Sequence, residues 1–102
     1  MTLAEVADQI REALIRDGYE EPPAPGWVYR DDSVTWAPEG RAEYVKVESI
    51  GKTVTGWQCT IIRWEQITDK PLCPWAERSG AIYLDRLLGP SFVKVWPPEA
   101  SR

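Results

Sequence analysis

The chain has 102 residues, of which 43% are hydrophobic, and carries a formal net charge of −4 with no histidine. This length is typical of a single domain and suffices for one core without disulfides or metal ions. No stretch approaches the roughly 20 apolar residues of a membrane-spanning helix, and the aromatic content and modest charge argue against disorder. We therefore expect residues 1–102 to form a single domain.

The absence of histidine removes the commonest general base and metal ligand, and with them Ser-His-Asp and Cys-His catalysis. The sequence also lacks a glycine-rich nucleotide-binding motif and a serine nucleophile elbow. Its acidic balance provides no counterion release on nucleic acid. We therefore predict no metal site, no cofactor, no catalytic residue, no nucleic-acid partner and no membrane partner.

The cysteines bear on the cellular compartment. Cys59 and Cys73 are fourteen positions apart, without a CxxC pair, and two ligands cannot hold a structural zinc ion. Glu5 and Asp8 stand where a secretory signal would have a basic start and an apolar run. We expect a cytoplasmic protein with reduced thiols; a bridge between the two cysteines is the alternative in an extracellular setting.

The first predicted element is a helix over residues 2–17. Thr2 and Glu5 form a Thr-x-x-Glu capping box, and Gly18 supplies a left-handed stop. At 100° per residue the apolar side chains fall within an arc of about 120°. These residues are Leu3, Val6, Ala7, Ile10, Ala13 and Leu14. Such an amphipathic helix is expected to lie across one face of a sheet.

A proline-rich connector is predicted over residues 19–26, because its three prolines exclude a helix. Clusters of turn-forming residues then divide the predicted sheet region, 27–66, into short strands. These strands are 27–30, 34–36, 41–50 and 53–66. We expect a turn at Gly51-Lys52. Gly56 lies inside the last of these strands, where we expect a bulge or a close backbone approach.

The C-terminal part is predicted to contain a loop over 68–74, a short helix over 81–88 and a last strand over 91–96. The helix is indicated by apolar residues that gather on one side, and Gly89-Pro90 ends it. The fold class is therefore α+β, with the first helix packed on a mainly antiparallel sheet of four or five strands.

Strand 53–66 is expected to be apolar on both sides of the sheet. Under regular alternation Trp57, Cys59 and Ile61 point one way, while Ile62 and Trp64 point the other. The first helix can cover only one of these faces. The other must be covered by the 81–88 helix and loops, by a partner subunit or by a ligand.

Six tryptophans are an unusual number for this length, and most are expected to pack in the core. Trp27, Tyr29 and Trp36 differ because they share a short segment with the carboxylates of Asp32 and Glu43. Aromatic rings beside carboxylates suit an organic cation, and they also suit a sugar stacked on a ring. We take these five residues as candidate ligand-binding residues.

The leading functional hypothesis is a small non-catalytic binding module, whose aromatic pocket or groove is rimmed by carboxylates and takes a flat or cationic organic molecule. The alternative is an interaction domain, in which the acidic region 17–43 and exposed aromatics dock a basic protein or form a homodimer through the sheet. A third hypothesis is a carboxylate hydrolase. Its candidate acids are Asp31, Asp32, Glu48 and Glu65. The ordinary explanation of the last two is a solvent-facing charge or an ion pair with Lys46 or Arg63.

Overall fold

A computed structural model describes residues 2–33, 40–67, 70–72 and 76–98, with the backbone alone for residues 3 and 4. Its elements, in chain order, are α1 (Leu3–Arg16), β1 (Val28–Asp31), β2 (Arg41–Thr53), β3 (Gly56–Ile67), β4 (Arg78–Tyr83), α2 (Leu84–Leu87) and β5 (Phe92–Trp96). The five strands form one sheet in the order β4-β3-β2-β1-β5. Every neighbouring pair is antiparallel, so the predicted α+β class is confirmed.

The predicted N-terminal helix is confirmed within one residue at each end. Thr2 is its N-cap, and the Thr2 hydroxyl accepts a hydrogen bond of 3.2 Å from the Glu5 N–H. Gly18 follows the helix with φ +105°, the left-handed conformation that glycine adopts without strain. Leu14 is fully buried, and Ile10 and Ala13 pack at the edge of the same core. The helix therefore lies on the sheet through its C-terminal half.

Asp17 fastens the end of α1 to the hairpin of β2 and β3. Its Oδ2 accepts hydrogen bonds from Lys52 Nζ at 2.9 Å and from the indole Nε1 of Trp57 at 2.7 Å. The hydrogen bond from Lys52, followed by that from Trp57, lowers the pKa of Asp17. The helix end and the hairpin tip are thereby held as one unit.

The turn between β2 and β3 lies at Val54 and Thr55, so the predicted turn at Gly51-Lys52 is wrong. The Thr53 hydroxyl accepts from the Thr55 N–H at 3.2 Å and donates to the Gly56 carbonyl at 2.8 Å. Gly56 begins β3 with φ +131°, a conformation that favours glycine. The expected bulge at Gly56 is also wrong: the irregularity in this pair lies at Glu48, between Val47 and Ser49.

Residues 81–83 end strand β4, so the predicted helix over 81–88 is too long and the strand before it was not predicted. Ile82 is buried while its neighbour Tyr83 is half-exposed, which is strand alternation. Only Leu84–Leu87 are helical, and Leu84 and Leu87 are fully buried. The predicted strand 34–36 lies outside the described residues.

The sheet has an apolar cluster on each side. We call the side covered by α1 the helix face; its buried residues are Leu14, Tyr29, Val45, Val47, Ile50, Trp57, Cys59, Ile61, Ile82, Leu84, Leu87 and Phe92. We call the opposite side the far face, with Val28, Ala42, Tyr44 and Trp64 buried and Ile62 and Val95 packed against them. The predicted alternation along β3 is confirmed.

Helix α2 covers the same face as α1, because Leu84 and Leu87 belong to the helix-face cluster. Of the three alternative covers expected for the other face, the first, the 81–88 helix with loops, is therefore wrong as regards the helix. The described loop residues 70–72 contribute to covering the far face: the Gln66 amide donates to the carbonyls of Lys70 and Pro71 at 3.3 Å. Gln66 also accepts a hydrogen bond of 2.7 Å from the indole of Trp64.

Cys59 carries a free thiol that is fully buried on the helix face, and burial raises its pKa to about 11. Because the thiolate is the reactive form, native Cys59 should resist iodoacetamide at about pH 8 and react in urea. Peptide mass spectrometry measures both. Rapid modification without denaturant would place the thiol at the surface. Cys73 lies outside the described residues and is expected to react more readily.

Candidate functional site

The five candidate ligand-binding residues do not share one wet pocket where the structure describes them. Trp27 is half-buried beside the helix-face cluster, with Lys94 Nζ 4.9 Å from its ring centroid. Tyr29 is 4% exposed inside that cluster. Burial, followed by interaction with Cys59, raises the pKa of Tyr29 to about 12. Trp36 lies outside the described residues.

The two candidate carboxylates are already paired. Asp32 is exposed in the turn after β1, where Arg30 Nε and Nη2 donate to its two oxygens at 2.6 and 3.0 Å. The Glu43 side chain is only 3% exposed and bonds to Arg63 and Arg78. Both carboxylates already have their countercharge within the chain.

Glu43 belongs to a charge cluster of four residues on neighbouring strands: Asp31, Glu43, Arg63 and Arg78. Arg63 Nη1 donates to Asp31 Oδ2 and to Glu43 Oε2, each at 2.8 Å. Arg78 donates to the other Glu43 oxygen. The register places Asp31 opposite Glu43 and Arg63 opposite Arg78, so the cluster joins four of the five strands.

The electrostatics of the charge cluster favour the ionised form of Asp31. Burial alone would raise the pKa of Asp31, but hydrogen bonds from Arg63 and Ser33 lower it below its usual value. Ser33 supplies its N–H at 3.0 Å and its hydroxyl at 2.5 Å. A general acid needs the opposite shift, a carboxyl that stays protonated at neutral pH. The cluster is therefore suited to tying strands together.

The other acids considered for hydrolysis are also in ion pairs. Glu48 Oε1 lies 4.0 Å from Lys46 Nζ, and Glu65 Oε1 lies 3.5 Å from Arg41 Nη1. Lys46 is therefore the partner of Glu48, as one of the sequence alternatives had it, whereas Glu65 pairs with Arg41. The described residues contain no group of three or more His, Cys, Asp or Glu side chains that could hold a metal ion.

A shallow groove on the far face is the most promising candidate site. We call it the far-face groove; its volume is about 370 Å³ and its lining residues are Gly26, Val28, Lys46, Trp64, Leu72 and Trp96. Trp64 is 1% exposed and forms part of the floor, whereas Trp96 is 53% exposed. The groove thus offers an accessible indole surface beside apolar side chains and one cation.

The strands place the lining residues of this groove side by side. Val28 on β1 lies opposite Lys46 on β2 and opposite Trp96 on β5. A register shift between β1 and β5 leaves Val95 as an extra residue, because Tyr29 pairs with Lys94. This bulge brings Trp96 onto the far face next to Val28, whereas regular alternation from Lys94 would place it on the helix face.

The floor of the groove is rigidly packed. The rings of Tyr44 and Trp64 stack with centroids 5.9 Å apart and planes at 17°, an arrangement close to offset stacking. The hydrogen bond from Trp64 to Gln66 fixes the indole orientation, and Gln66 in turn holds the chain at residues 70 and 71. Leu72 follows directly, so the same contacts position that wall of the groove.

A second cavity, of about 230 Å³, lies between α1 and the proline-rich connector. Ile10, Leu14, Pro23 and Ile50 supply apolar walls, without an aromatic ring. Its volume is below the range of roughly 300–1,000 Å³ that is usual for small-molecule sites. The far-face groove falls inside that range.

Neither helix in the described part of the chain has the length and apolar character needed to cross a membrane. Comparison with protein-family models, with curated proteins and with solved structures finds no match. Function must therefore be argued from the groove and its chemistry.

Sequence reasoning identified only part of this site. The alternation along β3 correctly predicted that Trp64 points away from the helix face. Trp96 was expected in the last strand, but its face depends on the bulge at Val95, which has no signal in the sequence. Lys46 was considered only as a partner of a glutamate. The residues that line the groove come from separate strands, so only the strand order brings them together.

Proposed function

We propose that this protein is a small non-catalytic binding module, and that its far-face groove holds a flat organic molecule. The observation that carries the proposal is the half-exposed indole of Trp96 beside a floor formed by Val28 and Trp64. Small-molecule sites are mostly apolar and aromatic, with a few polar groups that fix orientation. The groove has this composition, with Lys46 as its charged group.

The hydrolase hypothesis has less support. Asp31 and Glu43 are the buried carboxylates among the described residues, and arginines neutralise both of them. A glycosidase-type pair needs one carboxyl with a raised pKa, whereas the pKa of Asp31 is lowered. We therefore favour binding over catalysis.

A second candidate is a protein interface on the same face, which includes a homodimer through the sheet. It is favoured by apolar side chains that are 38 to 53% exposed, namely Leu72, Val93 and Trp96. Aromatic anchors in such a patch are typical of interface centres. A stable interface would have to bury more than about 1,000 Å².

The binding proposal predicts that Trp96→Ala abolishes the binding of flat neutral aromatics such as indole, with little change in thermal stability. The half-exposed ring contributes little to the core but supplies the stacking surface. Saturable shifts of the six tryptophan indole N–H signals in ¹⁵N NMR spectra measure binding. Tyr83→Ala is the matched control, since Tyr83 is an aromatic residue of similar exposure, 47%, on edge strand β4.

Two outcomes would contradict this proposal. The first is the absence of saturable binding by any flat aromatic to the wild-type protein. The second is equal loss of binding in Trp96→Ala and Tyr83→Ala, which would place the ligand elsewhere. Sedimentation of the same proteins tests the interface, because Trp96→Ala would then convert a dimer into a monomer.

A further inference from the structure

The charge in the far-face groove indicates which flat molecules it binds. Lys46 is the one charged side chain among the six described residues that line it, and 36% of that side chain is exposed. A cationic ligand would be repelled by the like charge of the Lys46 ammonium group. An anionic ligand would instead gain a charge-assisted hydrogen bond.

The charge of Lys46 is only loosely compensated within the chain. Its nearest carboxylate oxygen belongs to Glu48 and is 4.0 Å away, the longest ion pair among the described residues. By contrast, Lys52 Nζ lies 2.9 Å from Asp17, and Arg30 is paired with Asp32 at 2.6 Å. Among the described residues that line the groove, Lys46 is thus the cation that is available to a ligand.

The spacing across the sheet fits a ring at one end and an anionic group at the other. Lys46, Val28 and Trp96 lie side by side on the adjacent strands β2, β1 and β5. Neighbouring strands are roughly 4.8 Å apart, so the backbones of Lys46 and Trp96 are about 10 Å apart. A bicyclic ring over Val28, against Trp96, leaves a short acidic side arm within reach of the flexible lysine.

From these observations we propose that the far-face groove binds planar aromatic monoanions, with the ring against Trp96 and the anionic group on the ammonium of Lys46. This inference rests on the proposed binding function and names its ligand class. It keeps the flat ring expected from the sequence but departs from the cationic option, because Asp32 and Glu43 are paired elsewhere while the described lining of the groove has a basic residue.

The test uses three probes with the same ring and different charge: indole-3-acetate, indole-3-acetamide and tryptamine. Isothermal titration calorimetry at about 50 mM salt should give at least a tenfold tighter dissociation constant for the anion than for the amide. Tryptamine should bind most weakly. Raising the salt concentration should weaken the anion selectively, because screening acts on the charge contact.

Variants of Lys46 should redirect this selectivity. Lys46→Gln should bind the anion no more tightly than the amide, and Lys46→Glu should prefer tryptamine. Lys52→Gln is the matched control, since Lys52 is also on β2 but contacts Asp17 and the Trp57 ring on the helix face. It should retain the preference for the anion. Thermal unfolding confirms that each variant is folded.

The results separate the two proposals. If no probe binds the wild-type protein, the proposed binding function fails and the charge inference fails with it. If all three probes bind equally, lose affinity in Trp96→Ala and are insensitive to Lys46→Gln, the binding function stands and the anion preference is overturned. Binding of indol-3-yl sulfate as tightly as the acetate would show that the site accepts any monoanionic arm, carboxylate or sulfate, and would support the inference.

Discussion

Replacing Trp64 with alanine should reduce the free energy of unfolding by roughly 3 to 5 kcal/mol, the range typical of a buried aromatic residue. Trp64 is 1% exposed and stacks on Tyr44. Its indole N–H also donates to Gln66 Oε1, so Gln66, whose amide nitrogen holds the following loop, would lose a donor partner. Urea unfolding followed by circular dichroism measures the change.

Trp96→Ala is the matched control for this prediction, because Trp96 lines the same groove with half its surface exposed. It should change the free energy of unfolding by no more than about 1 kcal/mol, in keeping with an exposed site. Equal losses in the two variants would mean that the far face is packed differently from the arrangement described above.

Replacing Arg63 with methionine should cost roughly 3 to 5 kcal/mol at neutral pH, as expected when one partner of a buried ion pair is removed. The change leaves the Asp31 carboxylate, only 3% exposed, without a cation, and leaves Glu43 with Arg78 alone. Arg41→Met is the matched control. The 3.5 Å pair of Arg41 with Glu65 is solvent-exposed on the arginine side, so its loss should cost less than about 1 kcal/mol.

The pH dependence provides an independent check on the same variant. The pKa of Asp31 is lowered in the folded protein, so its contribution to stability is present above the unfolded value of about 3.9 and is lost as the pH falls through the folded pKa. In Arg63→Met, protonation of Asp31 removes the buried charge that has lost its partner. The stability difference between wild type and variant should therefore narrow below about pH 4. A difference that stays constant from pH 7 to pH 3 would argue against a charge effect.

The elements that sequence reasoning predicted well are those set by local signals. The capping box at Thr2 and the apolar spacing that ends at Leu14 define α1. Both signals depend on residues about one helical turn apart in sequence. Alternation is equally local, which is why the opposite faces of Cys59 and Trp64 could be predicted. In both cases the deciding residues are close together in sequence.

The errors lie where two local signals compete. Both Gly51-Lys52 and Gly56 are compatible with a turn. The turn forms next to Gly56, because Gly56 adopts a positive φ and the Thr53 hydroxyl bonds to its carbonyl. The spacing of Tyr83, Leu84 and Leu87 fits a helix, yet residues up to Tyr83 pair with β3 because Ile82 then enters the core. Tertiary burial here overrides a helical pattern.

The charge cluster and the groove depend on strand order, which a single sequence does not encode in a readable form. Glu43 was assigned to a ligand rim by composition, whereas pairing with Arg63 requires knowing that β2 lies beside β3. Trp96 reaches the far face only through its bulged pairing with β1. Non-local registers of this kind are set by the whole sheet.

The strand order also governs how the protein folds. The hairpin of β2 and β3 is local in sequence. Strand β1, by contrast, pairs on its other side with β5, the last strand among the described residues. Pairing of such distant segments requires closing a long loop and is intrinsically slow. Because Trp96 lies on β5, we expect the groove to be assembled after the β2–β3 hairpin, and probe binding followed in real time should lag behind the formation of that hairpin during refolding.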